Sequence, residues 1–219
     1  MKRIIQFGED VPGYALPVLN EREIRAAAGI LFAIMFVAIQ RASLLQDFTL
    51  IKYGVTFFLI DILTRVFINP RYAPTLILGR LIVRNQAPEY VAATPKRFAW
   101  IIGVVIGAIL FIHLVVSNSW SPISGILCTI CLLFLFFEAA FGICLGCKLY
   151  ALIGGKKPEL CPGEVCEANE KQEIQKTSGG QWLIVLGFVV FIILTVYLFN
   201  DTYSEQPYDL FGIMEKFNN

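Results

Sequence analysis

The sequence predicts an all-α, polytopic membrane protein: a four-helix transmembrane bundle, a fifth C-terminal transmembrane helix and an amphipathic helix lying at the membrane interface. Three observations predict it. Of 219 residues 57% are hydrophobic and only 16% charged, against about 25% charged in soluble domains. The apolar residues fall in runs long enough to cross a hydrocarbon core of about 30 Å. Within the first of these runs hydrophobicity lies on all sides of the helix rather than along one stripe. The lipid bilayer is therefore the expected partner. A net charge of +1 leaves no basic surplus to neutralise phosphates, so nucleic acid is not expected.

The elements follow in order. Residues 1–23 read as a cytoplasmic segment. It lacks an apolar h-region and carries Glu9 and Asp10, so a cleaved signal peptide is not expected. Asn20 can cap a helix, with Glu23 three residues on to reach back. The four-helix domain covers 24–153, with spans at about 24–45, 48–68, 98–116 and 123–143. Between the second and third, prolines at 70, 74, 88 and 95 bracket an apolar stretch too short to cross. That stretch, about 75–85, reads as the interfacial helix, with Arg80 and Arg84 reaching lipid head groups. A cytoplasmic cysteine-containing loop (154–181), a fifth span (182–199) and an extracytoplasmic tail (200–219) complete the chain. Trp100, Trp120 and Trp182 fall at predicted helix ends, as an aromatic belt requires.

Orientation follows from Lys and Arg. Fifteen of the 18 basic residues lie before the first span, after the second and after the fourth, counting Arg25 and Arg65 at the adjoining ends of the first and second spans. The positive-inside rule puts these segments, and the N-terminus, in the cytoplasm and the C-terminus outside.

All six cysteines lie between Ser121 and Cys166. Cys144 and Cys147 close the fourth span in a C-x-x-C spacing at the cytoplasmic face, where redox or metal chemistry is the first reading. Lys148 beside them favours a thiolate. A helix C-terminus at this point disfavours one. Cys128 and Cys131, in the outer half of the same helix, read as small buried hydrophobes or, with His113 at similar depth, as an outer site. Cys161 and Cys166 combine with Cys144 and Cys147 into a spacing close to a four-thiolate zinc site, with zinc as the cofactor in that reading. The alternative for the Cys161–Cys166 segment is an acidic solvated loop. Asp61 and Arg65 share a helical face in the second span, and Glu138 sits at comparable depth in the fourth. Ionised groups at such depth must pair and are functional candidates by default: Arg65 locks helices with Asp61 or Glu138, or the three relay protons and activate the thiols.

Several phrases carry a resemblance. They are Asn20-Glu21 with Arg25, Asp61 with Arg65, Pro70-Arg71-Tyr72-Ala73-Pro74 with Arg80, and Pro95-Lys96-Arg97-Phe98-Ala99. The most specific is Phe141-Gly-Ile-Cys144-Leu-Gly-Cys147 after Glu138. Over about residues 18–153 the chain resembles a bacterial integral-membrane family, domain of unknown function 4395. The resemblance implies a compact four-helix bundle in the bacterial inner membrane and supplies no activity. Cys128, Cys131, Cys161, Cys166 and the fifth helix lie outside its pattern.

Three functions are carried forward. The first is thiol-redox or sulfur-handling chemistry through Cys144 and Cys147, with Glu138, Asp61 and Arg65 tuning it and a thioredoxin-like or sulfurtransferase protein as partner. The second is transport or sensing of a soft metal or sulfur species along the fourth helix. The third is a structural membrane protein with a cytoplasmic four-cysteine zinc site.

Overall fold

Asn20 starts the first helix. In the computed structural model, which describes residues 7–14, 16–153 and 177–209, it ends the short strand β1 (Val18–Asn20). Its side-chain oxygen accepts the Arg22 N–H at 3.2 Å, satisfying one of the orphan amides of α1 (Glu21–Leu45). Glu23 does reach back, accepting from the Asn20 amide at 3.1 Å. α1 buries Ile24, Ala27, Leu31, Met35, Ala38 and Ala42, a stripe at three- and four-residue spacing. It stops where Gln46 turns left-handed, φ 52°. Asp47 then holds the corner, accepting from Arg41 at 2.6 Å and from the Thr49 N–H at 3.0 Å. Hydrogen bonds from Thr49, with Arg41 behind them, hold its carboxyl below the usual range.

α2 (Thr49–Leu63) runs on as a π-helical turn, Thr64–Ile68, and a 3₁₀ turn, Pro70–Tyr72. Pro74 opens α3 (Pro74–Val83) at the position where its missing N–H costs nothing. β2 (Tyr90–Ala92) pairs antiparallel with β1, Val18 opposite Ala92. There follow α4 (Ala93–Phe111) with a π-helical end, Ile112–Val116, then β3 (Ser119–Trp120) and α5 (Pro122–Phe141). α6 (Leu145–Leu152), α7 (Gly179–Ser204) and β4 (Tyr208–Asp209) complete the described chain.

Four helical segments are long and apolar enough to cross a membrane: Glu21–Leu45, Ala93–Val116, Pro122–Phe141 and Gly179–Ser204. This is consistent with a membrane protein. α1 packs against α3, α5 and α2, while α4 packs against α2 and α6. α7 stands at the periphery, burying only Gln181, Thr195 and Tyr203. Polar contacts pin it at both ends: Gln181 donates to the Arg71 carbonyl at 2.8 Å, and Lys52 to the Glu205 carbonyl at 2.6 Å.

Two expectations are corrected here. Arg80 does not reach head groups; it is 4% exposed. α3 lies so close to α1 that a Cβ on Gly79 would sit 2.6 Å from the Glu23 carbonyl oxygen. Arg80 is thereby turned onto Glu23 at 3.1 Å and Glu9 at 3.4 Å. Trp100 is likewise not in an aromatic belt. It is buried, with the Arg65 guanidinium 5.1 Å from its ring centre.

Candidate functional site

The C-x-x-C pair sits at the start of a helix, not at the end of one. Gly142 takes φ 65°, a left-handed cap that ends α5 at Phe141. Arg25 covers this terminus, donating to the Ala140 carbonyl at 3.4 Å, where a cation suits the negative end of the helix dipole. The chain then restarts. Cys144 is the N-cap of α6, and its sulfur accepts the Cys147 N–H at 3.2 Å. The expected penalty on negative charge at this pair is therefore reversed in sign: the positive end of the α6 dipole faces the Cys144 sulfur.

Cys144 and Cys147 are joined by a disulfide, their Cα atoms 5.1 Å apart. Both are half-buried. The seam between α6 and α4 fixes them. A Cβ on Gly146 would meet the Ala99 Cβ at 2.5 Å, so only glycine allows this approach. Tyr150 packs on Phe98, ring centres 5.4 Å apart.

Beneath the disulfide lies a cavity of about 70 Å³ between α1, α2, α4, α5 and α6. Its walls are mostly apolar, including Ile24, Leu31, Phe58 and Ile62. Cys144, Glu138 and Arg65 meet at it. On α5 the lining residues Cys131, Phe134, Leu135 and Glu138 fall on one helical face. An apolar pocket with a few convergent polar groups is the expected form of a ligand or reaction site.

The buried ion pairs among the described residues form three sets, of which the first two reach the cavity through Arg65 and Glu138. Asp61 and Arg65 pair as their spacing suggested, Nε to Oδ2 at 2.8 Å, with 1% and 4% of their side chains exposed. Thr75 completes the set. Its hydroxyl and backbone N–H donate to Asp61 at 2.7 and 3.0 Å, and Arg65 donates to its hydroxyl at 2.6 Å. Asp61 thus closes the first turn of α3, and its acceptors are taken up in holding the fold. Glu138 does not pair with Arg65. Its partner is Lys96, on α4, whose ammonium also holds Glu21 at 2.7 Å. One buried cation therefore joins carboxylates from α1 and α5. The third set is Arg80 with Glu23 and Glu9, where Arg71 approaches Glu9 at 3.9 Å.

The buried ion pairs of Lys96 with Glu21 and of Arg80 with Glu23 were not expected from the sequence, which presents Glu23 only as a capping partner, Arg80 as an interfacial arginine, and Glu21 and Lys96 only as parts of the family resemblance. One signal could have found Lys96: Glu138 in an apolar helix needs a cation, and Lys96 starts the neighbouring helix.

Cys128 and Cys131 are buried free thiols. Cys131 lines the cavity, and His113 does not. The His113 carbonyl accepts from Ser119 at 3.1 Å, and among the described residues its buried Nδ1 has no hydrogen-bond partner. Cys161 and Cys166 lie outside the described residues. Among the described residues no group of three or more His, Cys, Asp or Glu is placed to hold a metal ion. A disulfide-bonded pair offers no thiolate to zinc, so the four-cysteine reading requires Cys144 and Cys147 reduced.

These features define a class: a helical protein, with helices long and apolar enough to span a membrane, that carries a disulfide-bonded C-x-x-C at a helix N-terminus over an apolar cavity. The chain belongs to the family Domain of unknown function (DUF4395), which matches residues 19–154. No curated protein and no solved structure matches it.

Proposed function

We propose that this chain is a thiol-redox or sulfur-handling protein of the bacterial inner membrane, acting through Cys144 and Cys147 at its cytoplasmic face. The observation that carries the reading is the disulfide at the N-terminus of α6, with Cys144 lining a cavity shared with Glu138. In this reading there are five spans: the four helices above, of which Gly179–Ser204 is the fifth in chain order, and as the second Thr49–Ile68, α2 with its π-helical turn, about 30 Å long at 1.5 Å per residue. α3 lies at the cytoplasmic interface with Leu78 and Ile82 outward. The distribution of Lys and Arg sets the N-terminus inside.

The exchange runs as a disulfide reduction. A thiolate of a soluble dithiol carrier, of thioredoxin-like or sulfurtransferase type, attacks the Cys147 sulfur. The S–S bond breaks and Cys144 leaves as a thiolate, favoured by the Cys147 N–H and the α6 dipole. The second carrier thiol then attacks the mixed disulfide and releases Cys147. The carrier is oxidised to its disulfide, and the pair is reduced by two electrons and gains two protons. Asp61 and Arg65 position α2 and α3 beneath it, and Glu138 serves as the nearby proton acceptor or donor.

The test is reduction of the purified, oxidised chain by a thioredoxin-like dithiol, followed by alkylation and mass measurement. Exchange at Cys144 and Cys147, lost when either is replaced by Ser, supports the reading. A pair that stays oxidised against the carrier and against dithiothreitol rejects it.

A further inference from the structure

Cys144 lines the apolar cavity, whereas Cys147, its disulfide partner, does not. The two ends of the S–S bond therefore face different surroundings. A cavity of about 70 Å³ holds roughly two water-sized molecules, and it is about half the size of a cavity that takes benzene. A larger ligand would have to protrude from the open side of the cavity. Its walls are mostly apolar, with Ile24, Leu31, Phe58 and Ile62, and its two charged lining residues, Arg65 and Glu138, are already paired with Asp61 and Lys96, so a ligand that arrives charged meets no uncommitted counter-charge among them. What remains is a small, uncharged species of few heavy atoms that reacts with a disulfide.

We propose that the cavity admits a small uncharged sulfur nucleophile, dihydrogen sulfide being the type, and presents it to the Cys144 sulfur. The proposal rests on the redox reading of the pair and names its second substrate. Sulfide attacks Cys144, a new S–S bond forms and the Cys144–Cys147 bond breaks. Cys147 leaves as a thiolate. One proton of the sulfide passes to Glu138, which lines the same cavity, and from there to Cys147. The products are a Cys144 persulfide and a Cys147 thiol, and no other oxidant or reductant enters. Access through the bilayer suits such a species, because it crosses apolar surroundings without a charge to desolvate.

The experiment uses the full, oxidised chain in detergent with sodium sulfide as the probe. The readouts are cyanide-releasable sulfur and the residue that gains one sulfur atom in peptide mass analysis. Gly103→Val fills the cavity: a Cβ there meets Ile62 at 3.5 Å and Phe58 at 3.8 Å, ordinary contacts that require no backbone shift. Leu135→Phe fills it from α5. Dithiothreitol reduction of the pair is measured in parallel and reports an intact, accessible disulfide. The expected result is a persulfide on Cys144 in the wild type. Sulfur addition should slow about tenfold or more in both filled variants, with dithiothreitol reduction unchanged. Sulfur addition at the wild-type rate in the filled variants, or on Cys147, overturns the cavity route while leaving the redox reading in place. An absence of sulfur addition in a wild-type chain that dithiothreitol reduces overturns it as well. Failure of dithiothreitol to reduce the wild type removes the redox reading and this inference together.

Discussion

Lys96→Met isolates the contribution of the buried triad. The Lys96 ammonium lies 2.7 Å from one Glu21 oxygen and 2.9 Å from the other, and it also holds Glu138. Its side chain and that of Glu21 are 5% and 7% exposed, so salt and water screen the pair little. At the shorter distance, 2.7 Å, and an effective dielectric of about 20, one such contact is worth about 6 kcal/mol before desolvation is subtracted. Methionine keeps the length of the stem and removes the charge, leaving two buried carboxylates facing each other. Removing one partner of a buried pair costs about 3–5 kcal/mol, and that is the destabilisation expected. The assay is reversible denaturant unfolding in mild detergent. Lys96→Met with Glu21→Gln and Glu138→Gln should recover most of the loss, because the stranded charges are then gone. A single-variant cost below about 1 kcal/mol would show that water reaches the triad, and the reasoning would fail.

Other predictions follow from the same contacts. Asp61→Ala strands the Arg65 guanidinium and the Thr75 amide, so it should cost about 3–5 kcal/mol in the same unfolding assay; a cost no larger than that of an exposed ion pair would contradict the arrangement. Gly146→Val forces a side chain against Ala99 and should cost about 1–3 kcal/mol while slowing disulfide exchange, as α6 lifts from α4. Cys144→Ser preserves an N-cap oxygen for the Cys147 N–H, so the chain should fold and unfold as the reduced wild type, which likewise lacks the Cys144–Cys147 bond, while losing exchange. Cys144→Ala should lose both exchange and about 1 kcal/mol of stability. Asp47, held below the ordinary carboxylate value, stabilises the α1–α2 corner above its unfolded pKa of about 3.9. That contribution is lost as pH falls through the lower folded value. Amide exchange at Gln46–Thr49 should therefore quicken at acid pH in the wild type and not in Asp47→Asn.

The apolar runs made the long helices readable, because hydrophobicity on all sides is a local property of the sequence. The start of α6 was not readable. Phe141-Gly-Ile-Cys144-Leu-Gly-Cys147 continues the apolar run, and nothing in its composition announces that Gly142 turns left-handed and restarts the helix. That single turn decides whether the thiols meet the negative or the positive end of a dipole. The Asp61–Arg65 pair was legible from its four-residue spacing. The partner of Glu138 was signalled only by the need for a cation, since Lys96 is 42 residues away and meets it only once α4 packs beside α5. Arg80 misled for the same reason. A short helix with an arginine between apolar residues reads as interfacial, whereas Glu23 and Glu9, 57 and 71 residues distant, draw it inward. Short strands such as β1 and β2, three residues each, lie below what alternation can signal.

The central claim is that Cys144 and Cys147 are a working dithiol–disulfide pair. The measurement that tests it most directly is rapid acid trapping of membranes, followed by differential alkylation and a mass count on the peptide that carries both cysteines. The account predicts a mixed population that becomes fully reduced after exposure to a thioredoxin-like dithiol and returns to the disulfide on reoxidation. A pair found only as free, slowly alkylating thiols, or only as a disulfide that no dithiol reduces, would contradict it.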